Sequence, residues 1–208
     1  MSGGDQEELA FEENNDIESC DYHFEKKYND ISFSPLELAN HTFEKCVFTS
    51  CHFNEMSLGR CCFVSCLFEG CDFVLVKLDN TTLNGVKFDK CRLLGLNFSG
   101  CNKFGFLPDF KGCLLDSTVF CENSLKKGSF ASCEIRNCDF MECDMRESVF
   151  DHSVFEQTNF QKCNLEKADF RRAVAYQIDP LNNRMAKARF TLPEAQSFLG
   201  FLGITIDY

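Results

Sequence analysis

The sequence predicts an all-β solenoid, a four-sided tube built from five-residue repeats. Three observations carry that expectation. First, Phe or Leu returns at every fifth position from Phe33 to Phe98, through Leu38, Phe43, Phe48, Phe53 and onward. A second run keeps the same period from Phe110 to Phe170 and admits only Phe, Leu, Ile or Met. Five is neither the period of about 3.6 of a helix nor that of about 2 of a strand. Second, like residues recur 20 apart, as in Phe48, Phe68 and Phe88, or Phe120, Phe140 and Phe160. Four pentapeptides then close one turn, and the central residue of each side points inward. Third, the position two before each centre holds 12 of the 15 cysteines, among them Cys51, Cys71, Cys91, Cys113 and Cys133. Where Cys is missing, Val86, Ser148, Ser153, Thr158, Ala168 and Ala173 stand there. A small residue suits a tight turn whose bore is already filled, and a buried free Cys behaves as a small hydrophobe.

The 27 clear pentapeptides give between six and seven turns. Stacked at about 4.8 Å, they make a rod roughly 30 Å long. Backbone groups pair between turns, which leaves open edges only at the two ends. Such a unit contacts mainly its neighbours.

The chain divides into five parts. Residues 1–30 hold 10 acidic and 2 basic residues, against 8 and 7 in 31–109 and 14 and 12 in 110–208. The net charge of −11 is therefore mostly an acidic N-terminal tail, 1–30, of a composition that is usually solvated. The first repeat section is 31–98. Between Phe98 and Phe110 the spacing is 12 and not 10, and segment 99–109 contains Gly100, Gly105 and Pro108. It reads as a register-breaking corner or loop. Phe104 and Phe106 lie off register there and are expected to be exposed, as a candidate partner loop. The second section is 110–190. In 191–208, Thr191-Leu192-Pro193-Glu194 has the pattern of a helix start. Leu192, Ala195, Phe198, Leu199 and Leu202 fall on one helical face, and Phe201 lies off it. Gly203 reads as the stop, and Ile204 and Ile206 alternate as a short strand. The segment is expected to cap the last coil, and its surplus hydrophobics make it a candidate dimerisation helix.

The motif Cys/Ala-x-Phe/Leu-x-x, as in CDFME (138–142), CNLEK (163–167) and ADFRR (168–172), resembles the pentapeptide-repeat proteins. That resemblance implies a right-handed quadrilateral β-helix over about residues 31 to 190. Residues 176–207 and the stretch LLGLNFSGCNKFGF (93–106) resemble one branch of the family more closely. That branch holds the Qnr quinolone-resistance, albicidin-resistance and microcin B immunity proteins. The resemblance implies a homodimer joined through Thr191–Asp207 and a rod that imitates duplex DNA. It further implies protection of DNA gyrase or topoisomerase IV. No gyrase-contacting residue carries over by motif.

The residues offer little catalytic chemistry. His23, His41, His52 and His152 are scattered without partners at useful spacing, and no Cys-x-x-Cys pair exists. No phosphate-binding glycine motif occurs. The inward cysteines are expected to be buried, reduced and inert, with Cys62 and Cys121 better placed outside. The sequence thus predicts a non-enzyme without metal or cofactor. It has no apolar run long enough to span a bilayer and no signal peptide, which predicts a cytoplasmic protein. The outward charges mix sign along several columns. The row Glu134, Asp139, Glu142, Asp144, Glu147, Asp151 and Glu156 is more acidic and spreads around one belt. The expected function is a protein-binding rod that protects a topoisomerase without binding nucleic acid itself. The alternative is an interaction scaffold for an unrelated partner.

Overall fold

The computed structural model describes residues 21–33, 38 and 40–203. It is a parallel β-solenoid of about seven turns with one short helix near its C-terminal end. Four sheets form four sides. Side one holds Tyr22–Phe24, Thr42–Glu44, Cys62–Val64 and Thr82–Asn84. Side two runs from Lys27–Asn29 through four further strands to Phe130–Ala131. Side three runs from Asp72–Val74 to Val154–Glu156, and side four holds Val119–Cys121, Asp139–Met141 and Asn159–Gln161. Single bridges extend these sides where no strand forms, such as Ser124↔Asp144↔Asn164↔Arg184 on side one and Val149↔Asp169↔Arg189 on side two.

Register follows the 20-residue turn: Phe48 faces Phe68, which faces Phe88. Across the mid-chain corner the offset becomes 22, with Phe88 facing Phe110 and Leu93 facing Leu115, and the ladder then returns to 20. The two extra residues are absorbed locally, so both sections form one continuous rod.

Side two carries an unbroken column of rings. Tyr28 lies 4.9 Å from Phe48, Phe88 lies 5.3 Å from Phe110, and Phe170 lies 5.3 Å from Phe190, all near parallel. Neighbouring columns meet edge to face, as Phe110 and Phe120 do at 81°. Both arrangements suit the charge distribution of an aromatic ring.

The fifth residue of most repeats is the corner, and it is left-handed: Ser50, Lys90, Glu142 and Lys187 have φ of 53°, 53°, 52° and 60°. That conformation costs an L-residue about 1–2 kcal/mol. Most corners regain a hydrogen bond to the next coil, as from Ser50 N to Glu69 O (2.8 Å) and from Glu142 N to Gln161 O (2.8 Å).

Three expectations about the ends and corner need correction. The rod starts before residue 31, because His23 and Tyr28 take inward stations and Tyr22–Phe24 and Lys27–Asn29 pair with the following coil. Segment 1–20 lies outside the described residues. Of the two corner phenylalanines Phe104 is exposed, at 95%, while Phe106 is buried and packs on Phe98. The five-residue count from Phe98 falls on Lys103, which is exposed, and the longer loop brings Phe106 inward instead. At the C-terminal end the helix is short, a 3-10 turn Glu194–Gln196 followed by Ser197–Gly200. The helix-start pattern is not used as a cap: Thr191 Oγ1 donates to Arg171 O, and Glu194 Oε2 accepts from Ala175 N. Gly203 is the last described residue there, with Ile204 and Ile206 outside.

Replacing Phe140, which is fully buried between Phe120 and Phe160, should cost about 3–5 kcal/mol as Phe140→Ala. Phe104→Ala should stay within about 0.5 kcal/mol of the parent, and denaturant titration of the two variants checks the contrast.

Candidate partner-binding surface

The inward slot two before each centre is a hydrogen-bonding site. Cys71 Sγ donates to Phe48 O (3.3 Å), Cys91 to Phe68 O (3.3 Å) and Cys163 to Phe140 O (3.3 Å). Thr81, Thr158 and Asn183 repeat the contact with oxygen or nitrogen donors to Leu58, Ile135 and Phe160 carbonyls. The slot therefore favours a small side chain with a donor, and the shared chemistry of Cys, Thr, Ser and Asn was the signal in the sequence. The 14 described cysteines are free thiols. Cys62 and Cys121 are half-buried, and the rest are buried. Burial pushes Cys61 up to about 11 and Cys101 and Cys138 up to about 12. Among the described residues no group of three or more His, Cys, Asp or Glu is placed to hold a metal ion.

The histidines are not all scattered, contrary to the sequence reading. His23 is buried at the first coil, with Tyr28 Oη 2.8 Å from its Nδ1 and His41 Nδ1 3.0 Å from its Nε2. Its ring stacks on Phe43 at 4.5 Å. His41 reaches toward Asp21 at 3.9 Å. The 18-residue separation of His23 and His41 has meaning only once a 20-residue turn brings their sides together. His52 pairs with Asp72 one coil on, at 3.1 Å.

The surface that remains is charge-divided. Over residues 114–182, sides three and four carry 7 acidic and 2 basic residues. Over residues 124–192, the adjoining sides one and two carry 5 acidic and 9 basic. The belt of seven acids therefore crosses two unlike halves. Glu134, Asp139, Glu142 and Glu156 lie on the acidic half with Asp116 and Glu122. Asp144, Glu147 and Asp151 lie on the basic half. Arg146 forks onto Asp144 (2.8 and 2.6 Å) and holds its carboxyl below the ordinary range. Arg172 approaches Asp151 at 3.6 Å. On the acidic half Arg136 serves Glu134 (2.7 Å) and Glu156 (3.6 Å), Lys162 serves Glu142 (3.1 Å), and Asn159 donates to Asp139 (2.9 Å). Two cations thus face seven acids, and a net negative ridge is left. Sequence columns read singly did not reveal the division, because it emerges only when adjoining sides are added together.

Of the candidate dimer residues, Phe198 packs inward on Phe190 (4.7 Å) and Tyr176 (6.0 Å) and caps the core. Leu199 is half-buried, and Leu192, Phe201 and Leu202 are exposed. Phe201 borders a cleft lined by Gln157, Gln161, Gln177 and Asn182.

The fold and its surface define a four-sided parallel β-solenoid. The chain belongs to the pentapeptide-repeat family: "Pentapeptide repeat region" matches residues 36–104 and "Pentapeptide repeats (8 copies)" matches 138–174. No curated protein matches it. Among solved structures it is similar to full-length QnrB1, a plasmid-mediated fluoroquinolone resistance protein, at 14% identity and TM-score 0.42 over 88% of this chain and 100% of that one. It is also similar to HetL, a pentapeptide-repeat protein involved in heterocyst differentiation regulation in the cyanobacterium Nostoc, at 14% identity and TM-score 0.41 over 80% and 84%.

In a Cys20→Ser background, alkylation at about pH 8 should label Cys62 and Cys121 well before any other thiol, as mass spectrometry would resolve. Burial raises the thiols of Cys61, Cys101 and Cys138 on folding from 9.0, so at these three the unfolded chain loses its protons first. Stability is therefore kept below about pH 9 and falls as the pH rises toward 11 or so, at roughly 1.4 kcal/mol per pH unit for each such thiol. A denaturation midpoint that held constant from pH 8 to 10.5 would contradict this.

Proposed function

We propose that this chain is a non-enzymatic, cytoplasmic protein-binding rod. It offers the acidic ridge of sides three and four to a protein that otherwise grips DNA. The partner is DNA gyrase or topoisomerase IV, and the outcome is protection from an inhibitor or toxin. The observation that carries the reading is the segregation of Asp116, Glu122, Glu134, Asp139, Glu142 and Glu156 onto two adjoining sides. A negative strip along a rod complements a groove lined with Lys and Arg, and it repels nucleic acid. The resemblance of 93–106 and 176–207 to the Qnr branch supports the choice of partner, and the exposed Leu192, Phe201 and Leu202 support a homodimer. Protection works by occupancy: the rod competes for the DNA-binding surface and so displaces the trapped DNA or the poison.

Purified protein at about tenfold molar excess should restore gyrase supercoiling in the presence of a quinolone, albicidin or microcin B. E134Q/D139N/E142Q/E156Q should weaken that relief by about tenfold or more while leaving the fold intact. No relief with any of the three inhibitors would remove the topoisomerase reading.

A second reading rests on Phe104. It is 95% exposed at the mid-chain register break, and it suits a scaffold that docks an unrelated protein through the 99–109 loop. Replacing the seven residues 101–107 with one regular pentapeptide, which restores a spacing of 10 between the flanking phenylalanines, should then abolish capture of that protein in a pull-down and leave gyrase protection untouched.

A further inference from the structure

The basic half of the rod has no role in the reading above. Lys126, Lys127, Lys167 and Lys187 all lie along side one, and all four are exposed. None has a carboxylate within 4 Å among the described residues, whereas Arg146, Arg171, Arg172, Arg184 and Arg189 each do. Lys127, Glu147, Lys167 and Lys187 stack as one corner column, since each corner N–H bonds to the coil that carries the next. Only Glu147 interrupts it.

The same chain holds a segment of the opposite kind. Residues 1–20 contain 7 acidic residues and no Lys or Arg. The first described strand, Tyr22–Phe24, is the first rung of side one, so the acidic segment joins the rod on the side that later carries the lysines. Five rungs separate Tyr22 from the coil of Lys126, and eight separate it from that of Lys187. At about 4.8 Å per rung these are roughly 24 and 38 Å. Twenty extended residues reach about 66 Å, well beyond both.

We propose that the acidic segment 1–20 lies along side one of its own rod, with its carboxylates on Lys126, Lys127, Lys167 and Lys187. Charge complementarity and reach both point to it. Residues 31–109, with 8 acidic and 7 basic residues, offer no comparable surplus. Each exposed pair is weak and screened over about 8–10 Å, so the docking needs several pairs at once and loosens with salt. Covering the lysines would leave sides three and four open while removing a basic surface that attracts nucleic acid.

Amine footprinting tests this on the full chain. The comparison is with a variant in which the seven acids of 1–20 are replaced by their amides (D5N, E7Q, E8Q, E12Q, E13Q, D16N, E18Q). At low salt, acetylation of Lys126, Lys127, Lys167 and Lys187 should be about threefold or more faster in the variant, with Lys77, Lys87 and Lys90 unchanged. The difference should vanish at about 0.5 M NaCl. Carbodiimide cross-linking of an equal mixture of isotope-labelled and unlabelled parent protein should join 1–20 to those lysines within one copy only. Equal acetylation in parent and variant, a change spread over all lysines, or links between copies would overturn the proposal. None of these readouts involves the acidic ridge, so they are separate from the gyrase test.

Discussion

Every coil of this rod is too short to bury its own side chains. A turn of 20 residues brings four large groups to one level, and only the turns above and below can cover them. Stacking between coils is therefore the constraint on which the rest depends. It sets the distance between Tyr28, Phe48, Phe68 and Phe88 near the strand spacing, and it lets backbone ladders and ring columns close together. The cysteine slot follows from the same geometry. A thiol, hydroxyl or amide there reaches the carbonyl of the coil before, which adds a side-chain tie between neighbouring levels.

The interior was legible because one period is repeated many times. Phe and Leu at fifth positions specify both the direction and the depth of those residues. Legibility ended where the period changed. Phe106 and Phe104 look alike in sequence, yet one is buried against Phe98 and the other is exposed, since the two extra residues of the loop shift which of them turns inward. His23 and Tyr28 stand on the five-residue grid but are neither Phe nor Leu, and they were read as part of a tail. The contact of His23 with His41 becomes visible only when the chain is carried round one turn.

The outer surface was harder for a different reason. Outward residues obey no packing rule, so each column can mix sign without penalty. The acids of the belt keep their places in both readings, but their meaning differs by side. Asp144 and Asp151 meet arginines among a basic majority, while Glu134 and Asp139 belong to a ridge with two cations in all. Summation over neighbouring sides, not the sign of any one residue, decides the local field.

The left-handed corners have a consequence for how such a chain can vary. Positions such as Ser50, Lys90, Asn137 and Glu142 carry no inward side chain, yet their backbone is closed to valine, isoleucine and threonine. Drift there is confined to unbranched and small residues, a filter set by stereochemistry and not by any binding partner. The surface alphabet of this molecule is thus narrower than its solvent exposure suggests, and an unvarying corner would be poor grounds for assigning it a task.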